Sequence, residues 1–298
     1  MKSTSANSFS SGSDVSDICL CSIRKGCKCR KRTTRLGLSL LLPCLALLGA
    51  SAARANDYCP DRPGLDTPPC IIDPGHVSVE ASLGAWTHSS DSVSVTDQVL
   101  IGDLAVRVGL GTTTEARLAW SPYGSVRTRD RTSGQVTTLR GSGDITLGIK
   151  QNVLDPSGEH LSIALLPRVT LNSGGAALGA GTWSAGLQIP LALPVGHGVS
   201  LMLTPEFDAA ANSDASGRHF AYGTAAGVAF PASSRVNTSI EVSVMRDEDP
   251  AGASTSAVAG ASASLRLGSD LFADIGGAVR LNANAPDRQI YLGIAKRF

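Results

Sequence analysis

The chain is short of aromatic side chains, of long apolar runs beyond residue 55 and of helical periodicity. Each shortage removes a class of structure. Phe, Trp and Tyr together make up 4% of the 298 residues, too few to fill the space between two packed sheets, so a secreted β-sandwich or adhesin is a poor match. Beyond residue 55 no stretch approaches 18 uninterrupted apolar residues, which excludes crossing a bilayer by helices. No phosphate-cradling glycine loop and no metal-ligand spacing stands out, so the sequence gives no reason to expect a cofactor or a metal.

The first 55 residues have a different composition from the rest. Arg24 to Arg35 carry seven Lys/Arg and no acid, an apolar run follows from Leu36 to Ala50, and Ser51-Ala52-Ala53-Arg54-Ala55 supplies small residues. This order is that of a secretory signal, residues 1–55, cleaved between Ala55 and Asn56. Without it the formal charge of +1 becomes 17 Lys/Arg against 23 acids, a net −6, which argues against nucleic acid as a partner. Five of the seven cysteines, Cys19, Cys21, Cys27, Cys29 and Cys44, leave with the signal. The two that remain, Cys59 and Cys70, bracket Pro60 to Pro69 in a compartment that oxidises thiols, so a disulfide is expected, with two free thiols as the alternative. Residues 56–76 read as a periplasmic N-terminal segment and 77–298 as the folded domain.

That domain alternates with a period of two. In Leu100 to Leu110 every even position is apolar or Gly, while the odd positions hold Asp103 and Arg107. One face in lipid and the other in a polar lumen demands this pattern. Twelve such stretches follow one another, from Val77-Val79-Ala81-Leu83 to Ile290-Leu292-Ile294 with Phe298. Tight turns alternate with longer polar segments, Gly124 to Arg140 being the longest and most basic with Arg127, Arg129, Arg131 and Arg140. The expected fold is all-β: a 12-stranded antiparallel transmembrane β-barrel in the cell outer membrane, with both termini periplasmic. A chain ending on Phe298 is what the outer-membrane insertion machinery reads. Pro167, Pro190 and Pro205 fall inside strands, where a missing N–H predicts bulges or weak pairing.

The inward set is where function must lie, because lipid offers nothing to recognise. It comprises Glu80, Asp103, Arg107, Glu115, Arg117, Asp144, Lys150, Arg168, Glu206, Asp208, Glu241, Arg266, Asp274, Arg280 and Arg297. These near-balanced charges either neutralise one another across neighbouring strands or line a narrow polar pathway. Inward glycines, among them Gly84, Gly109, Gly148, Gly186, Gly260 and Gly276, would leave room for water. The basic segment 124–140 either folds over the mouth and attracts anions or contacts lipopolysaccharide phosphates.

Cys59-Pro60-Asp61-Arg62-Pro63-Gly64, Cys70, and Pro74-Gly75-His76-Val77-Ser78-Val79-Glu80 resemble the opening of the outer-membrane family named for the MetA pathway of phenol degradation. The resemblance implies a transporter for small solutes, with small aromatic compounds among the cargo, and carries no catalytic residues. Two other readings compete with a channel. A closed structural or adhesive barrel would need only the self-neutralising charges. An outer-membrane lipid hydrolase would need a Ser and a His together on the lipid face, and His76, His88, His160, His197 and His219 all sit at strand ends or in turns. The chain is therefore read as a channel and not as an enzyme. Its expected surroundings are outer-membrane lipid and lipopolysaccharide.

Overall fold

A computed structural model describes residues 58–298; the secretory signal, its cleavage site at Ala55 and Asn56, and the five leading cysteines lie outside the described residues. Sixteen strands form one antiparallel sheet: β1 Val77–Ser90, β2 Ser94–Ile101, β3 Asp103–Gly109, β4 Thr114–Trp120, β5 Tyr123–Asp130, β6 Val136–Gly141, β7 Ile145–Leu154 and β8 Ser162–Leu171. They continue with β9 Ser184–Gln188, β10 Leu191–Gly196, β11 Val199–Ala211, β12 Arg218–Pro231, β13 Val236–Asp247, β14 Ser254–Arg266, β15 Leu271–Arg280 and β16 Arg288–Arg297. Four wall strands are interrupted, so that β2 with β3, β4 with β5, β6 with β7 and β9 with β10 each make one crossing. Twelve wall strands result. The sheet closes where β1 pairs with β16, from Ser78 opposite Arg297 to His88 opposite Arg288. Closure joins the twelve wall strands in one circuit, the condition for a sheet to stand in a bilayer, and the open side of β6, which pairs with β5 alone, lies at the long-loop end.

Burial is inverted relative to a soluble protein. The largest fully buried side chains include Arg107 and Lys150, whereas Leu83, Ile149, Ile240 and Ile275 each expose more than half their surface. An apolar outside around a charged inside is the arrangement that alternation demanded. Trp183, Phe207, Phe220 and Tyr222 stand exposed at the end carrying the longer loops, and Phe220 stacks on Tyr222 with centroids 5.2 Å apart. Aromatic residues settle in this way at a membrane boundary.

The strand interruptions change which residues face inward. Gly102 takes a positive φ of 73° between β2 and β3, and the alternation slips by one there. Leu104, Val106 and Val108 face outward as expected, but Leu100 pairs with Ala85 and turns inward against Gly124, while Val99 and Ile101 are exposed. A bulge at Leu83 and Gly84 does the same to β1, so Gly84 pairs with the outward Leu292 and is not an inward glycine. The segment 124–140 is largely strand: β5 and β6 form a hairpin that extends the wall. Arg127, Arg129 and Arg140 share its outer face, and Arg131 is tied back to Ser90 and Asp91.

Of the three prolines placed in strands, only Pro190 ends one, between β9 and β10. The other two still weaken the ladders beside them. Opposite Pro167 the β7–β8 pairing lapses at Ile149 and Lys150, and opposite Pro205 the ladder to β9 and β10 lapses at Ile189 and Pro190. A residue without an N–H cannot supply its share of the ladder.

Candidate functional site: a lumen filled by the N-terminal segment

Residues 58–76, expected beside the barrel, lie inside it. Cys59 and Cys70 are disulfide-bonded and close a loop of the ten residues between them. The loop rises from the short-turn end of the barrel and touches the inner face around most of the circuit. Its composition suits it to burial. Pro60, Pro63, Pro68 and Pro69 carry no N–H, so the backbone brings few donors that would be orphaned away from water. The donors it does have are matched by the wall. Asp61 and Arg62 amides donate to Glu80, Gly64 to the Tyr291 hydroxyl, Thr67 to Thr204 and Ile72 to Glu115, at 2.8 to 3.2 Å. The Leu65 amide donates to Glu241.

The carbonyls of the segment face wall cations. Arg107 donates to the Cys59 and Cys70 carbonyls at 2.9 and 3.1 Å, and Lys150 to those of Pro68 and Cys70 at 3.0 and 3.2 Å. Both cations also face carboxylates. Arg107 grips Glu115 with two parallel bonds of 2.9 Å and reaches Glu80 at 3.0 Å and Asp61 at 3.1 Å. Lys150 lies 2.9 Å from Asp61, and Arg117 pairs with Asp61 from the next strand. Three cations thus meet three carboxylates, one of which, Asp61, comes from the inserted segment. Burial alone would raise the Asp61 carboxyl, but Arg107, Arg117 and Lys150 outweigh it and hold Asp61 well below the usual carboxylate range.

The remaining candidate residues separate by height. Asp274 is held by Arg62 of the segment at 2.9 Å, Glu241 by the Leu65 amide and Ser239, and Arg297 by Asp73 and Asp270. Farther toward the long-loop end, Arg168 pairs with Glu206 and with Asp208 at 2.8 Å, and Gln188 donates to Glu206. This group keeps about a fifth of its surface open, with Arg168 and Glu206 each 21% exposed, and meets the segment only through Gln188, which accepts from the Thr67 hydroxyl at 3.4 Å. Asp103 accepts from Ser121 at a strand interruption. Asp144 accepts amides of Ser173, Gly174 and Ala180, fastening the loop after β8, and Leu178 of that loop lies against Gly124 on the inner wall. Arg266 lies over the Phe272 ring at the short-turn rim, and Arg280 pairs with Asp287 at the opposite one.

Eight of the fifteen candidate charges, Glu80, Arg107, Glu115, Arg117, Lys150, Glu241, Asp274 and Arg297, therefore meet the inserted segment, and among them Arg107 also pairs with Glu80 and Glu115. The sequence does not show this directly, because residues 56–76 read as a periplasmic segment preceding the barrel. The available signal was a segment bearing Asp61, Arg62, Asp66 and Asp73 with five of its residues proline, a composition matched to a charged lumen. Three inward glycines also serve the segment. A Cβ on Gly109 would lie 2.1 Å from the Asp73 carbonyl oxygen, one on Gly260 would meet Leu65, and one on Gly293 would strike the Arg62 guanidinium. These three leave room for the inserted chain, whereas a Cβ on Gly148, Gly186 or Gly276 would meet Leu166, Asp208 or Tyr291 of the wall.

Below the tip of the segment a cavity of about 670 Å³ opens at the short-turn end. Ser162, Ser200, Ser239, Ser262 and Ser264 line it with Met202 and Arg266. Asp66 forms part of its roof. Burial and the neighbouring Glu241 push its carboxyl up to about 7, and its Oδ2 is buried without a hydrogen-bond partner.

A closed twelve-strand barrel with an apolar belt and a charged, occupied lumen is an outer-membrane β-barrel, the class that includes channels and porins. The profile of the family described as "Putative MetA-pathway of phenol degradation" matches residues 60–298, and the chain belongs to that family. Among solved structures, an outer membrane channel from Pseudomonas putida F1 superposes with a TM-score of 0.62 at 12% identity, over 80% of this chain and 99% of that one. The NanC porin gives 0.46 at 10% identity, over 74% of this chain and 98% of that one. The translocator domain of autotransporter NalP from Neisseria meningitidis gives 0.49 at 15%, over 75% and 88%. No curated protein sequence matches.

Proposed function

We propose that this protein is a passive channel for small solutes, small aromatic compounds among them, whose short-turn end faces the periplasm and whose pathway is narrowed by its own N-terminal segment. The observation that supports this reading most is the serine-lined cavity of about 670 Å³ beneath the segment, within the range of roughly 300–1,000 Å³ of small-molecule sites. Flux is set by how firmly residues 58–73 stay docked. The outward arginines of the β5–β6 hairpin suit lipopolysaccharide phosphates, since they point away from the lumen.

The filled lumen also favours a second reading, a closed structural barrel. Single-channel conductance and liposome swelling separate the two. A channel passes small sugars or aromatic carboxylates in the intact protein and passes more when residues 58–73 are deleted. Flux at the level of protein-free liposomes in both forms establishes the closed barrel. A lipid hydrolase finds no support in the geometry: His88 faces Asp97 and Asp287, His160 faces Asp155, and His219 faces Asp247 and Asp249, with no serine hydroxyl recorded as partner to any of the three.

A further inference from the structure

At the long-loop mouth, away from the inserted segment, three elements bring together groups that sequence reading had set aside. His219 stands near the start of β12 with its side chain only 5% exposed. Its Nδ1 lies 3.0 Å from Asn212 Oδ1 in the preceding loop. An amide oxygen can only accept, so Nδ1 carries a proton, and in the neutral imidazole Nε2 then presents a lone pair. Nε2 is buried without a hydrogen-bond partner, yet it lies 2.9 Å from Asp247 Oδ1, which is also a lone-pair atom. Unless Nε2 is itself protonated, two lone pairs at that separation repel and call for a cation between or beside them.

A second carboxylate completes the group. Asp249, on the loop after β13, places Oδ2 3.8 Å from Nδ1 of the same ring, on the side that faces Asn212. One donor atom from each of His219, Asp247 and Asp249 falls within 4.8 Å of the other two. The carboxylates are oriented by backbone amides: Ser213 and Ala251 donate to Asp249, and the Asp249 amide donates to Asp247 Oδ1. Such outer contacts hold ligands in place around a metal. The nearest other charges point elsewhere, since Arg246 pairs with Glu248 and Arg218 covers the Trp183 ring. Among the described residues, His219 is the only basic side chain within ion-pair distance of Asp247 or Asp249.

We propose that His219, Asp247 and Asp249 form a binding site for a divalent first-row transition metal that ties the loop after β11, the start of β12 and the loop after β13 together at the mouth. One imidazole nitrogen with two carboxylate oxygens suits Zn²⁺. Calcium and magnesium prefer sites made wholly of oxygen. The position at the rim makes the metal a clasp for the loops rather than a catalyst.

The test is calorimetric titration of Zn²⁺ into the untagged, chelator-treated barrel in detergent. Expected is one saturable site that His219→Ala weakens more than about tenfold, that Arg168→Ala leaves unchanged, and that equimolar Ca²⁺ does not displace. Heat-modifiable migration on gels reports whether each variant is folded. If His219→Ala fails that check, the Asp247→Asn, Asp249→Asn double variant provides the same comparison. Wild-type binding no tighter than that of the folded variant, displacement by Ca²⁺, or no binding heat at all overturns the site; the last means that His219 is an imidazolium paired with the two carboxylates.

Discussion

The two charge groups inside this barrel use the same residue types on the same inward positions and differ in surroundings. Arg107, Lys150, Glu80 and Glu115 are fully buried, with only Asp61 and Arg117 of that group partly open, and a segment of the chain supplies both a carboxylate and carbonyls. Around Arg168, Glu206 and Asp208 the side chains remain partly open and pair only with wall residues. An inward charge becomes structural when a second piece of backbone covers it, and stays available to a solute when none does. Desolvation makes the difference, since a covered charge must be matched completely whereas an open one is partly served by water.

The largest effect that would sharpen the contrast comes from Arg107→Met. It strands Asp61, Glu80 and Glu115 around a lost cation and should cost about 3–5 kcal/mol, read as a lower urea midpoint. An unchanged midpoint would mean that the buried group is not the anchor. Next, Gly109→Val places a side chain where the Ile72 and Asp73 carbonyls pass; the barrel should still form while conductance rises. If conductance stays at the wild-type level, the segment does not control the pathway.

Replacing Cys59 and Cys70 by Ser removes a constraint worth about 2–4 kcal/mol in typical loops. It should leave the barrel folded but open residues 58–73 to protease, and resistance equal to wild type would contradict this. The response to pH follows from Asp66. Its carboxyl rises from the model-compound value of 3.8 to about 7 when docked, so docking favours the protonated form. That contribution is present in full below about pH 4 and is lost as pH rises through 7. Protection factors of residues 58–73, taken against the intrinsic exchange rate at each pH, should therefore be larger at pH 5 than at pH 8, and Asp66→Asn should erase the difference. The smallest effect belongs to the open group. Arg168→Gln should change stability by about 1 kcal/mol or less while shifting reversal potentials toward cations, because Glu206 and Asp208 remain. A stability loss as large as that of Arg107→Met would erase the distinction between the two groups.

Much of the wall was legible in the sequence. Alternation gave twelve crossings and the inward positions of Glu80, Arg107, Glu115, Lys150, Arg168, Glu206 and Asp274, because a period of two assigns faces wherever strands are regular. It failed where strands are irregular. Gly102 and the Leu83–Gly84 bulge each shift the phase by one, and the alternating pattern at Leu100 looks the same on either side of that slip. Pro190 was a readable break; the hairpin formed by β5 and β6 was not, because its polar residues meet solvent on both faces and so resemble a loop.

By itself, then, the sequence determined that this chain is an antiparallel barrel with a charged interior and an apolar exterior, since local periodicity is enough to sort side chains between lipid and lumen. Only the tertiary structure decided what the interior charges are for. Asp61 lies 46 residues from Arg107 and 89 from Lys150 along the chain, and His219 lies 30 from Asp249. No local pattern encodes which of these meet, because the pairing depends on the circuit of the closed sheet and on the N-terminal segment returning into it.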